Sequence, residues 1–123
     1  MLPQENLADE PIITVAVWHN TNPSQFVRGW HPDDPMTKAY SYDIPAEQAR
    51  DPEEVLEEAF EICNVGNDER AQAYRALGNR SLSVGDVIVI GEVAHVCTAT
   101  GWDLVQGTIT VAGGASSTPS RRT

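Results

Sequence analysis

Residues 51–66 have the sequence DPEEVLEEAFEICNVG, which contains the clearest helix signal of the chain. Asp51 is a good N-cap acceptor, and Pro52 follows at the first helical position, where no N–H group is needed. Glu54 then stands at the acidic position of a capping box. These signals predict a helix that begins after Asp51 and runs to Asn64.

This predicted helix is amphipathic. Its apolar residues recur at helical spacing as one stripe, with acids on the opposite face. We expect the helix to pack Leu56, Ala59, Phe60 and Cys63 onto a mainly antiparallel sheet. A second, shorter helix is predicted from Glu69 to Leu77.

Strand signals lie on both sides of the helical region. Ile12–Trp18 is rich in β-branched residues and nearly all apolar, as in a central strand buried on both faces, and the turn formers from residue 19 onward are expected to leave the sheet. Lys38–Ile44 alternates like a strand with one wet face. The order of elements predicts a small α+β domain with two helices between an N-terminal strand region and a C-terminal β-meander.

The C-terminal meander is predicted from short apolar runs separated by turn residues. Gly91-Glu92 joins Val87–Ile90 to Val93–Thr98 in a hairpin. A third strand is expected at Trp102–Val105, and residues 108–112 are expected to add a final edge strand.

Length and composition bound the organisation of the chain. Its 123 residues suit one domain, which we place at residues 12–112, and residues 1–11 and 113–123 lack core-forming residues and are expected to be flexible. The two cysteines are far apart, and no secretory leader or membrane-spanning run is seen, which favours a cytoplasmic protein without a membrane association.

Several segments carry a resemblance to a known family. Residues 56–66, residues 74–88 (YRALGNRSLSVGDVI) and Gly101-Trp102 resemble the YodL-like proteins of bacteria, and residues 19–23 (HNTNP) match actinobacterial members. The resemblance implies a small accessory protein of plasmids, phages and integrated elements, sometimes fused beside antirestriction domains. It implies no catalytic residues.

The motif RSLSVGD, which begins at Arg80 and ends at Asp86, has two interpretations. As a structural joint, it uses the permissive backbone of Gly85, and Arg80 pairs with a carboxylate or with carbonyls. As an anion site, it uses Arg80, Ser81 and Ser83 to grip a ligand among backbone amides. The motif lacks the glycine density of a phosphate loop, so the joint is favoured.

Metal and nucleophile sites receive little support. His95 and Cys97 are two residues apart on one predicted strand, but any two such residues share a face, and an orienting third group is not evident. A zinc site would need further ligands brought in by the fold, the candidates being His19, His31, Asp33 and Asp34. The sequence therefore predicts no catalytic residue, no metal and no cofactor, and it favours a non-enzymatic role.

The charge of the chain is concentrated in one segment. The whole chain carries a net charge of -10, and residues 43–69 contain ten acids against one base, Arg50. This sign argues against direct binding of nucleic acid. The predicted partner-binding residues are Glu54, Glu57, Glu58 and Glu61.

Three interpretations of this acidic face stay open. It can keep the protein in solution, it can dock a protein partner with a basic surface, or it can imitate DNA and inhibit a restriction or DNA-binding enzyme.

A different class of function is a small-ligand or enzymatic module built on the Arg80 loop and the meander, with Trp18, Trp30 and Trp102 lining a pocket.

Overall fold

The computed structural model describes residues 11–22, 29–105 and 109–111. It is an α+β fold, as predicted, with two α-helices packed on one face of a sheet. The segments expected to be flexible, residues 1–11 and 113–123, lie outside the described residues apart from Pro11. The strands are β1 (Ile12–Asn20), β2 (Pro35–Pro45), β3 (Val87–Ile90), β4 (Val93–Thr98), β5 (Gly101–Leu104) and β6 (Thr110–Val111), and the helices are α1 (Pro52–Asn64) and α2 (Glu69–Ala76), with a short 3-10 turn at Gln48–Arg50 before α1.

The sheet has the strand order β5-β4-β3-β1-β2-β6. Neighbouring strands are antiparallel except β6, which runs parallel to β2. The predicted central position of β1 and the predicted C-terminal meander are both confirmed. The final edge strand is present at Thr110–Val111, and it pairs with β2 at the edge of the sheet opposite β5, whereas residues 108 and 112 of the predicted strand lie outside the described residues.

β1 is longer than its composition suggests. We expected the chain to leave the sheet at His19, but the strand continues through Asn20, because His19 and Asn20 pair with Thr37 and Met36 of β2. The pairing register shifts between Val17 and Trp18. The antiparallel pairing of β1 with β3, which ends at Trp18 and Val87, places the end of β1 beside the loop that precedes β3.

α1 begins where the sequence predicts. The Asp51 side chain accepts a hydrogen bond from the Glu54 N–H at 3.3 Å. Leu56, Ala59 and Cys63 are buried against the sheet, as expected. The same prediction is wrong for Phe60, whose side chain is 40% exposed, because it lies at the margin of the stripe, where it lines an open groove with Trp102 of β5.

The sheet carries apolar clusters on both faces. The larger cluster lies under the helices and includes Val15, Val17, Leu56 and Tyr74. The opposite face holds a smaller cluster formed by Met36, Val87 and Val96, with partly buried apolar residues around them. Both faces of β1 are therefore covered at its centre.

Within the described ranges, none of the helices has the length and apolar content needed to cross a membrane.

Candidate functional site

The outer face of α1 forms a shallow groove of about 510 Å³, which we call the acidic groove. Its lining includes all four predicted partner-binding residues together with Gln48, Phe60 and Val65. Phe60 and Val65 are exposed, so apolar surface lies between the carboxylates. The structure thus brings the four acids together around two apolar side chains.

Glu58 differs from the other three acids because it already has partners in the protein. Its carboxylate lies 3.0 Å from the Arg70 guanidinium and accepts a hydrogen bond from Gln48 at 3.3 Å. Arg70 in turn lies over the ring of Tyr42, 5.0 Å from its centroid. Glu58 therefore joins α1 to α2 and contributes less free negative charge to the groove.

Glu54, Glu57 and Glu61 are exposed, and among the described residues no ion pair involves them. Glu57 and Glu61 form a like-charge pair one turn apart, and Glu57 forms another with Glu53. Such pairs cost about 0.2–0.5 kcal/mol each in a helix. The negative charge of the acidic groove therefore lowers the stability of α1 slightly.

The Arg80 loop uses its charged groups internally. The Asp86 carboxylate is fully buried and accepts two hydrogen bonds from the Arg80 guanidinium, at 2.7 and 2.9 Å. It also accepts from the backbone N–H groups of Asn20 at 2.7 Å and Ser83 at 2.8 Å. Gly85 is buried with a φ of 94°, a conformation that favours glycine. An external anion would have to compete with the Asp86 carboxylate for Arg80.

Other parts of the loop are also engaged within the protein. The Arg80 guanidinium donates to the carbonyl oxygens of Ser81 at 2.9 Å and Asn20 at 3.1 Å. These contacts hold the end of β1 against the loop. The Asn20 N–H donates to Oδ1 of Asp86, and the Ser83 N–H donates to Oδ2, so both carboxylate oxygens are engaged. The geometry is thus that of a closed, internally paired joint.

Sequence reasoning did not assign Asn20 and Asp34 to this network. The buried Asn20 amide donates to the Asp34 carboxylate at 2.8 Å and to the Gly85 carbonyl at 3.2 Å. Asp34 also accepts from the His31 N–H at 2.9 Å. The only signal in the sequence was that Asn20 and Asp34 belong to turn-forming clusters, which do not show which distant residues they contact.

His19 and Tyr74 extend the network under the helices. The Tyr74 hydroxyl donates to the Arg80 carbonyl at 2.5 Å and lies 2.6 Å from Nε2 of His19. Because that hydroxyl has a single proton, Nε2 of His19 must be the donor to Tyr74. Burial and the nearby Arg80 guanidinium lower the pKa of His19, which favours the neutral ring.

Both cysteines and His95 are buried. Burial raises the pKa of the Cys63 thiol to about 12 and also raises the pKa of Cys97, so both favour the unreactive thiol. His95 and Cys97 are both buried on the same face of β4, and burial lowers the pKa of His95. In the parts of the chain that the structure describes, no group of three His, Cys, Asp or Glu residues is placed to hold a metal ion.

The three tryptophans do not surround one pocket. Trp18 and Trp30 pack with the smaller cluster, whereas Trp102 packs with the larger cluster on the helix side.

Searches against family models, curated proteins and solved structures find no match to this chain. The acidic groove is the place where the predicted partner-binding residues meet on an exposed surface.

Proposed function

We propose that this protein is a non-enzymatic interaction protein that binds a basic protein partner through the acidic groove of α1. The observation that carries the proposal is the arrangement of Glu54, Glu57 and Glu61, which are exposed and unpaired among the described residues, around the exposed Phe60 ring. Charges at the rim of an interface steer association, and a central aromatic side chain contributes affinity.

The surroundings of the groove support a protein partner over DNA mimicry or a small ligand. A mimic of DNA needs charge along an extended track, whereas these acids occupy about two turns of one helix. A ligand at the Arg80 loop would have to displace the buried Asp86 carboxylate. The proposed role is an accessory or regulatory one in the cytoplasm, and the resemblance to YodL-like proteins implies a mobile genetic element as its setting.

A charge-reversal experiment tests this proposal. The full chain is used to capture partners from a lysate of the source organism, and the affinity of a captured partner is measured for the wild type and for the triple variant Glu54→Lys, Glu57→Lys, Glu61→Lys. We expect the triple variant to bind at least about tenfold more weakly, chiefly through slower association. Raising the salt concentration should weaken wild-type binding in the same way.

The matched control changes the net charge equally at exposed acids outside the groove, with Asp33→Lys, Glu47→Lys and Glu69→Lys. We expect this control to keep wild-type affinity within about threefold. If the two triple variants bind equally well, or lose affinity equally, the acidic groove is not the binding site.

A further inference from the structure

β5 forms an edge of the sheet that the described residues leave without a neighbour. The Val105 N–H donates to the Ala94 carbonyl at 3.0 Å, and Val96 lies opposite Asp103. In an antiparallel pair, hydrogen-bonded and non-hydrogen-bonded positions alternate. The backbone N–H and C=O groups of Trp102 and Leu104 therefore point outward from the sheet, where a further strand would meet them.

This edge is short and has one charged side chain, Asp103, but it lacks the cations and the proline that most strongly block strand pairing. β5 has the sequence GWDL, with no Lys, Arg or Pro. The Leu104 side chain is 61% exposed, and Val93 on the neighbouring strand is 50% exposed. Both contribute to an apolar depression of about 710 Å³ beside α1. An edge with free backbone groups and apolar side chains is suited to strand addition.

The negative charge around β5 indicates which kind of added strand fits this edge. Glu57 and Phe60 line a groove of about 300 Å³ together with Trp102, and within the described ranges no Lys or Arg lines this groove or the apolar depression. Asp103 is exposed on the other side of β5. A second copy of this chain would bring these acids against each other, whereas a basic strand would neutralise them.

We propose that the partner contributes an extended basic segment that adds to β5 as a seventh strand of the sheet, an inference that rests on the proposed function and names the part of the partner that binds. In this arrangement an apolar side chain lies opposite Leu104 and a Lys lies opposite Asp103. An Arg opposite Trp102 lies over the indole ring, on the side of the sheet where Glu57 stands. The acidic groove then receives the basic residues that flank the strand.

The probe is an acetylated and amidated eight-residue peptide with Val, Lys and Arg at three consecutive central positions and Thr and Lys at the others. Its affinity for the full chain is measured by fluorescence anisotropy, and amide hydrogen exchange is followed by NMR. We expect binding to slow exchange of the Trp102 and Leu104 amides at least about tenfold. A matched peptide, N-methylated at the amides that face β5, should bind at least about tenfold more weakly, because it cannot donate to the edge.

Two protein variants complete the test. Leu104→Pro removes the outward N–H while leaving the bond from Val105 to Ala94, and edge strands tolerate proline. It should weaken the peptide at least about tenfold, whereas Leu104→Thr, which keeps the N–H, should weaken it less. Equal binding of the N-methylated and parent peptides, with no protection at Leu104, would overturn strand addition.

A separate comparison distinguishes this failure from failure of the proposed function. If the captured partner still depends on Glu54, Glu57 and Glu61 but ignores Leu104→Pro, the acidic groove stands and the β5 edge is excluded. If neither change affects the partner, both proposals are wrong. Dependence on both changes supports both.

Discussion

Asp86 is the residue on which the internal joint of the protein depends. Its buried carboxylate accepts hydrogen bonds from Arg80, Ser83 and Asn20, which belong to the loop before β3 and to the end of β1. A buried charge is tolerated only when it is fully paired. The sequence suggested that Arg80 pairs with a carboxylate, but Asn20 lies 66 residues from Asp86, and local patterns carry no information on such a contact.

We expect Asp86→Asn to lower the free energy of unfolding by about 3 kcal/mol, since the amide loses the charge and turns one acceptor into a donor facing the existing donors. Urea unfolding followed by circular dichroism measures this change. Asp103→Asn, at an exposed position, should change the same free energy by less than about 0.5 kcal/mol. Equal effects at both positions would contradict the structural role of Asp86.

The second prediction at this scale concerns Gly85, whose φ of 94° is unfavourable for any residue with a Cβ. Gly85→Val should lower the free energy of unfolding by about 1–3 kcal/mol. The same urea measurement tests it, with Val84→Ala as a neighbouring control of smaller expected cost. A Gly85→Val variant as stable as the wild type would show that the loop can adopt another backbone conformation.

At the scale of secondary structure, α1 combines a buried stripe with an outer face that is acidic rather than mixed in charge. Its N-terminus was predictable because capping is a local interaction between Asp51 and Glu54. The exposure of Phe60 was not, because helical spacing shows which residues share a face but not how far the neighbouring sheet extends beneath it. The helices cover the centre of the sheet and leave Phe60 beside the open side of β4 and β5.

The different positions of Leu56 and Phe60 give a stability prediction. Leu56→Ala should lower the free energy of unfolding by roughly 2–5 kcal/mol, because it leaves a cavity under the helix. Phe60→Ala should cost about 1 kcal/mol or less, because the ring is partly exposed and leaves no closed cavity. Chemical denaturation of both variants decides the matter, and equal losses would place Phe60 in the core.

At the scale of the whole molecule, predictability followed the range of the interactions. The α+β class, the order of elements and the hairpin at Gly91-Glu92 come from local patterns and turn residues, and the structure confirms them. The return of β6 to the far edge beside β2 comes from long-range packing that local patterns do not encode. The polar network that joins His19, Asp34 and Asp86 was missed for the same reason.

This network also makes stability depend on pH. The folded protein lowers the pKa of His19 below its usual value of 6.5, because the ring is partly buried and the Arg80 guanidinium repels its charged form, while Asp86 opposes the shift only in part. The unfolded chain therefore binds a proton at a higher pH than the folded protein does. The resulting stability is complete above pH 6.5 and is lost as the pH falls through the lower pKa of the folded state.

The measurement is urea unfolding at pH 7.5 and pH 5.5 for the wild type and for His19→Asn, which has no ring to titrate. We expect the loss of unfolding free energy between the two pH values to be smaller in the variant, because every other titratable group is present in both proteins. NMR titration of the ring should give a pKa below 6.5 for His19. An equal pH dependence in the two proteins, with a His19 pKa at or above 6.5 in the folded state, would contradict the prediction, because it would mean that folding does not lower the pKa of the ring.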